Sequence, residues 1–153
     1  MVIKLKMLDS SGCIREGLLR KIPPSSQDAE ASIKRAQKWL VEAEKGISAK
    51  AFDSALMASY VAMFHSARAI LFFDGFREKS HYCVARYIED NYAKKGFLES
   101  KWVSMLDHYR DMRHDDQYSL SFLTTQEEAE TSLETAKKFV EQMGALLQKL
   151  KQR

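Results

Sequence analysis

The sequence predicts an all-α protein, an up-and-down bundle of about five helices behind a short N-terminal arm. Three observations lead there. Apolar residues recur at alternating steps of three and four along most of the chain, which is helical periodicity. Two prolines and six glycines in 153 residues leave little room for the turns of an all-β fold. A composition of 45% apolar and 29% charged residues is that of an ordinary globular domain, and the length suits one domain with a substantial core.

Residues 1–24 read as the arm and 25–153 as the bundle domain. The arm holds a short apolar run, a Ser10–Gly12 break and one short helix around Ile14–Arg20, and it stops at Pro23 and Pro24. Ser25 and Ser26 can cap the next helix, whose stripe of Ala29, Ile33, Ala36, Leu40, Ala43 and Ile47 ends near Gly46. A second helix, Ala49 to Phe73, is apolar almost all round, as the central element of a bundle is, and Gly75 ends it. Ser80 opens a third with Val84, Tyr87, Ile88 and Tyr92 inward, closed by Gly96. The fourth, Leu98 to Tyr118, packs through Trp102, Met105, Leu106, Tyr109 and Met112. The fifth starts at a Thr125–Glu128 capping box and carries an unbroken stripe from Ala129 to Leu150, suited to bundle packing or a dimer seam.

Several functional classes drop out. A net charge of +3 tolerates a phosphate-bearing partner but is weaker than the basic footprint of a dedicated DNA binder. Cys13 and Cys83 make no CxxC pair and have no histidine at zinc-finger spacing, so neither a metal site nor a disulfide framework is expected, and a reducing, cytoplasmic setting follows as the default. The opening MVIKLKML is too short for a signal-peptide core, and Asp53, His65 and Arg68 interrupt the most apolar helix, so no membrane span is expected. Phosphate-cradling loops, HExxH and paired-carboxylate iron motifs are missing from the sequence, and no cofactor is expected.

The informative feature is charge inside helices. Val61, His65, Arg68 and Phe72 share one face of the second helix, stacking an imidazole and a guanidinium one turn apart. On the fourth, Arg113 and Asp116 fall on the inward face, Asp107, Arg110 and His114 flank it, Asp111 and Asp115 point away, and His108 lies toward solvent. One reading is structural: Arg113 pairs with Asp116 and Arg68 with a carboxylate across the bundle, ties whose breakage costs about 3–5 kcal/mol. The other is a phosphate site, in which arginine offers a rigid donor fork and a nearby histidine moves a proton near neutral pH, the residue types of metal-independent RNA transesterification. His81 reads as a capping or core histidine, and Tyr60, Phe64, Trp102 and Tyr109 as core aromatics.

At these residues the chain resembles the HEPN-domain family. The resemblance rests on SYVAMFHSARAILFFDGF, on REKSHYCVARYIE, on YRDMRHDDQY and on the closing amphipathic helix, and covers nearly everything after Pro24. It implies a five-helix bundle, a homodimer, nucleotide or RNA binding, and a minimal nucleotidyltransferase as partner in a toxin and antitoxin pair. Ribonuclease members use an Arg and a His separated by four to six residues, brought together from two subunits without a metal. In this sequence Arg113 matches that Arg, and Tyr118 stands where the His would follow, whereas His114 follows Arg110 after a gap of three. The resemblance thus implies a nucleotide- or phosphate-binding cleft of Arg110, Arg113, Asp116 and Tyr118, with Arg68 and His65 behind them. Arg113 and His114 would be the catalytic pair if the protein cleaves RNA, and Tyr118 is the candidate acceptor of an adenylyl group from the partner. A purely structural adaptor is the third reading.

Overall fold

A computed structural model describes residues 7–153. Its elements in chain order are α1 (Ser10–Arg15), β1 (Leu19–Lys21), α2 (Ser26–Ser48), α3 (Phe52–Asp74), β2 (Phe76–Glu78), α4 (His81–Ile88), α5 (Ser100–Tyr118) and α6 (Gln126–Lys151). The fold is all-α with a two-stranded antiparallel ribbon, and the helix boundaries follow the caps that the sequence offers. Ser25 accepts a hydrogen bond from the Asp28 amide, and Thr125 and Glu128 form the reciprocal capping box.

α3 is the hub, contacting α2, α4, α5 and α6. By length and composition it could cross a membrane, but 67% of its most apolar window is buried inside the bundle, as expected of a core helix. α2 meets it closely because Ala29, Ala36 and Ala43 are fully buried, and a Cβ added at Gly46 would lie 3.1 Å from that of Ala55. Ser32 Oγ crosses the seam and donates to the His65 carbonyl at 2.7 Å. From α6, Phe139, Met143 and Leu147 fill the core beside Tyr60, Met63, Ile70 and Leu71, and Trp102 of α5 packs edge-on against Phe139. Gly75 closes α3 at φ +93, and a side chain there would strike the Ile22 carbonyl at 2.8 Å.

Three details depart from the sequence-based expectation. The short helix of the arm lies earlier, at Ser10–Arg15, because Asp9 caps it, and the residues after it form β1, in register with β2 (Leu19 opposite Glu78, Lys21 opposite Phe76). The helix expected to run from Ser80 to Gly96 changes at Glu89–Ala93 into a wider π-helical turn, with Tyr87 and Tyr92 both donating to Asp74. Most consequentially, Cys13 and Cys83 are joined in a disulfide that fastens α1 to α4. The expectation of a reducing compartment rested on unpaired cysteines and loses that support. The Ser10 amide also donates to Asp90 at 2.8 Å, so the end of the arm packs on the bundle. Residues 1–6, part of the opening apolar run, lie outside the described residues.

Candidate functional site

The centre of the site is built by four helices. α3 presents Tyr60 and, one turn on, Phe64. Ser80, the N-cap of α4, sets His81 in the first turn of that helix. The imidazole stacks on Phe64 with ring centres 3.9 Å apart, and its Nδ1 lies 2.9 Å from the Tyr60 hydroxyl. From α5, the Arg113 guanidinium lies over the Tyr60 ring at 5.1 Å, and its Nη1 donates to Gln117 Oε1 at 3.0 Å. Trp39 of α2 closes the other side. Tyr60, His81, Arg113, Gln117 and Trp39 line a cleft of about 360 Å³, with Phe64 behind the imidazole.

Its electrostatics follow from burial and three arginines. Burial, with the charges of Arg113, Arg110 and Arg68 and the neighbouring His65, pushes His81 down to about 4. The imidazole is therefore neutral at pH 7. Burial raises the Tyr60 phenol to about 12 against the downward pull of Arg110 and Arg113, so it keeps its proton. The Tyr60–His81 contact accommodates either tautomer, and with the phenol as donor to Nδ1 the imidazole proton sits on Nε2.

Arg113 has no carboxylate within ion-pairing distance among the described residues, and its buried Nε has no hydrogen-bond partner. The pairing of Arg113 with Asp116 considered from the sequence is not made. Asp116 instead meets Asp53 and Thr124: Thr124 Oγ1 donates to Asp116 at 3.2 Å, and the Thr124 amide donates to Asp53 at 2.9 Å. Burial, a hydrogen bond with Asp53 and the Asp53 charge raise the Asp116 carboxyl to about 7, while the same hydrogen bond lowers Asp53. The two carboxyls are thus coupled, and Asp116 holds a proton more readily than Asp53.

The remaining sequence-predicted residues separate. Arg110 is paired with Asp107 at 2.7 Å, and Asp107 also holds Arg86. Arg68 takes the carboxylate partner expected of it, Glu78 at 2.7 Å, and lies over Phe72. His65 and Arg68 line a second cleft of about 390 Å³ with Arg35, Asp28 and Arg77 rather than the one that holds Arg113. Burial, with Arg68 and Arg35 nearby, lowers His65 to about 4. His114 is exposed, with its ring 4.9 Å from that of Tyr118, which is 62% exposed. His81 and Tyr60, read from the sequence as a cap and a core ring, are the groups beside Arg113. The available signal was spacing: Tyr60, Phe64 and Arg68 recur every four residues, and Ser80 fixes where His81 begins its helix. Among the described residues, no three His, Cys, Asp or Glu side chains are grouped to hold a metal ion.

A family model for the HEPN domain matches residues 29–146. The chain is also similar to the protein named "Putative toxin MJ0605" of Methanocaldococcus jannaschii, at 25% identity over 124 residues that span 81% of this chain and 92% of that protein.

Proposed function

The chain belongs to the HEPN family, and on that premise we propose that it is a toxin-type HEPN protein that binds RNA or nucleotide phosphate in the Arg113 cleft. One observation carries the reading: the Arg113 guanidinium has no carboxylate partner among the described residues and sits beside the neutral His81 imidazole and Tyr60 phenol. A phosphate docked there would receive a charge-assisted hydrogen bond from Arg113 and a second from His81 Nε2–H. The name of the M. jannaschii relative supports the toxin role.

The test is titration of AMP and of a short single-stranded RNA into the wild type, Arg113→Ala and His81→Ala. Arg113→Ala weakens binding at least about ten-fold, the value of one charge-assisted hydrogen bond. In wild type, a bound phosphate raises the His81 midpoint, followed by NMR, because a nearby anion favours the imidazolium. Equal binding by wild type and Arg113→Ala would remove the reading.

A second reading, metal-independent ribonuclease, is favoured by the imidazole and guanidinium that share this cleft. His81 would then replace His114 as the partner of Arg113, with Arg113 stabilising charge on the transferring phosphorus. Cleavage of RNA in EDTA by wild type and its loss in His81→Ala, with His114→Ala active, is the outcome it requires. The exposed Tyr118 hydroxyl supports a role as adenylyl acceptor for a nucleotidyltransferase partner, checked by a mass gain of one AMP that Tyr118→Phe abolishes. Homodimerisation is supported by the exposed Tyr118, Leu120 and Leu123 and is read from the mass in solution.

A further inference from the structure

The second cleft is not isolated. It shares Arg35 with a groove along α2 that includes Lys38 and Trp39, and Trp39 in turn lines the Arg113 cleft. At its other end the second cleft shares Arg77 with a hollow over the β1–β2 ribbon. The four depressions therefore succeed one another across shared wall residues, from the ribbon, past the α2 surface, to Arg113. On α3 this path follows Val61, His65, Arg68 and Phe72, about 16 Å at helical rise.

Charge is concentrated on this path. Its walls carry nine basic and three acidic side chains, an excess of six, whereas the whole chain has an excess of three. The rest of the molecule is thus net acidic. At the ribbon end, Arg20 and Arg77 stand directly opposite each other in the antiparallel register, both exposed. Like charges so placed destabilise a strand pair unless an anion lies between them. Midway, the Arg35 guanidinium lies over the Trp39 ring at 5.8 Å, beside the path.

We infer that this path is the track of a single RNA strand whose phosphates run from the Arg20–Arg77 pair, past Arg35 and Lys38, to Arg113. The inference rests on the phosphate-binding reading of the Arg113 cleft and deepens it by naming a ligand longer than one nucleotide. Cations alternating with an aromatic ring match a backbone that carries regular charge and bases that stack.

The experiment compares a three-nucleotide with a twelve-nucleotide single-stranded RNA by fluorescence anisotropy, for wild type, Arg35→Ala/Arg77→Ala and Arg113→Ala. Wild type is expected to bind the longer RNA at least about ten-fold tighter, with a steeper salt dependence. Arg35→Ala/Arg77→Ala keeps trimer binding, loses that advantage, and flattens the salt slope for the longer RNA by about 1.4, or ~0.7 for each phosphate contact removed. If the double variant binds the longer RNA as wild type does, while Arg113→Ala does not, the track is wrong and the groove is left to an acidic protein partner. If wild type binds neither RNA, the phosphate-site reading fails and the track falls with it. Thermal melting of the double variant, expected to match wild type, separates lost contacts from lost folding.

Discussion

Arg110 and Arg113 stand three residues apart on α5, and their surroundings differ in one respect. Arg110 has Asp107 one turn behind it, and Asp107 also binds Arg86 of α4, so two guanidiniums and a carboxylate join two helices. Arg113 has the neutral Gln117 and the ring and hydroxyl of Tyr60. Arg68 on α3 belongs with Arg110, since Glu78 neutralises it. The paired arginines fix how elements meet, and the one without a carboxylate keeps its charge for an incoming anion. Structural and binding roles are thus divided by the partner supplied, with residue type held constant.

The largest effect that tests this division is at the paired side. The Glu78 side chain is 6% exposed and Arg68 19%, so Glu78→Ala leaves a half-buried guanidinium without its counter-charge and is expected to lower stability by about 3 kcal/mol in denaturant melts. A loss below ~1 kcal/mol would mean the pair is no structural tie. Asp107→Ala comes next. Asp107 is 28% exposed and solvent screens part of the loss, so about 2 kcal/mol is expected, with AMP affinity changed less than two-fold. A large change in affinity would show that Arg110, once released, also serves the ligand, and would blur the comparison.

A smaller effect is predicted at the Asp53–Asp116 pair, which ties α3 to the end of α5 and to Thr124. The folded protein holds the Asp116 proton up to about pH 7, whereas an ordinary aspartate releases it near 3.8. Between these values the folded state binds more protons, so the stabilisation is complete at low pH and is lost as pH rises through 7. His65 and His81 act in the opposite sense, their stabilisation complete above 6.5 and lost as pH falls toward 4. Both histidines are present in wild type and in an Asp116 variant, so the difference between the two proteins isolates Asp116. Asn at position 116 reproduces the protonated carboxyl, donating to Asp53 and accepting from Thr124. Asp116→Asn should melt as wild type does below about pH 4, gain on it as pH rises from 4 to 7, and stay more stable by roughly 1 kcal/mol at pH 8, a figure reduced because solvent reaches Asp53. A parallel decline in both proteins would place the titration elsewhere.

What the sequence made legible was local. The Ser25 cap, the Thr125–Glu128 box, the Gly75 stop and the stripe from Ala129 to Leu150 depend on neighbours within a turn or two, and the helices begin and end where these residues direct. A helical wheel likewise put Arg113 on an inward face. It could not supply the partner, because Asp116 is bound by Asp53, 63 positions earlier, and Arg113 faces Tyr60, 53 positions earlier. The Cys13–Cys83 bond, with a separation of 70, and the pairing of two three-residue strands are of the same kind. His81 escaped attention for a related reason: its cap is local, but the Tyr60 hydroxyl and the Phe64 face that give it a task come from another helix.

The smallest expected change in stability is the most informative. In Arg113→Ala the protein loses a cation over the Tyr60 ring, worth about 0.5–1 kcal/mol, and the packing of the arginine stem. It also sheds a buried Nε without a hydrogen-bond partner, whose desolvation costs about 1 kcal/mol in the native state. These terms nearly cancel, so the melting midpoint should stay within about 0.5 kcal/mol of wild type while phosphate binding collapses. The phenol of Tyr60 gives a second readout. Removing Arg113 takes away a positive charge and a hydrogen bond that lower its ionisation point, so the phenol should titrate higher in the variant. A destabilisation of ~3 kcal/mol, equal to that of Glu78→Ala, would instead place Arg113 among the structural ties.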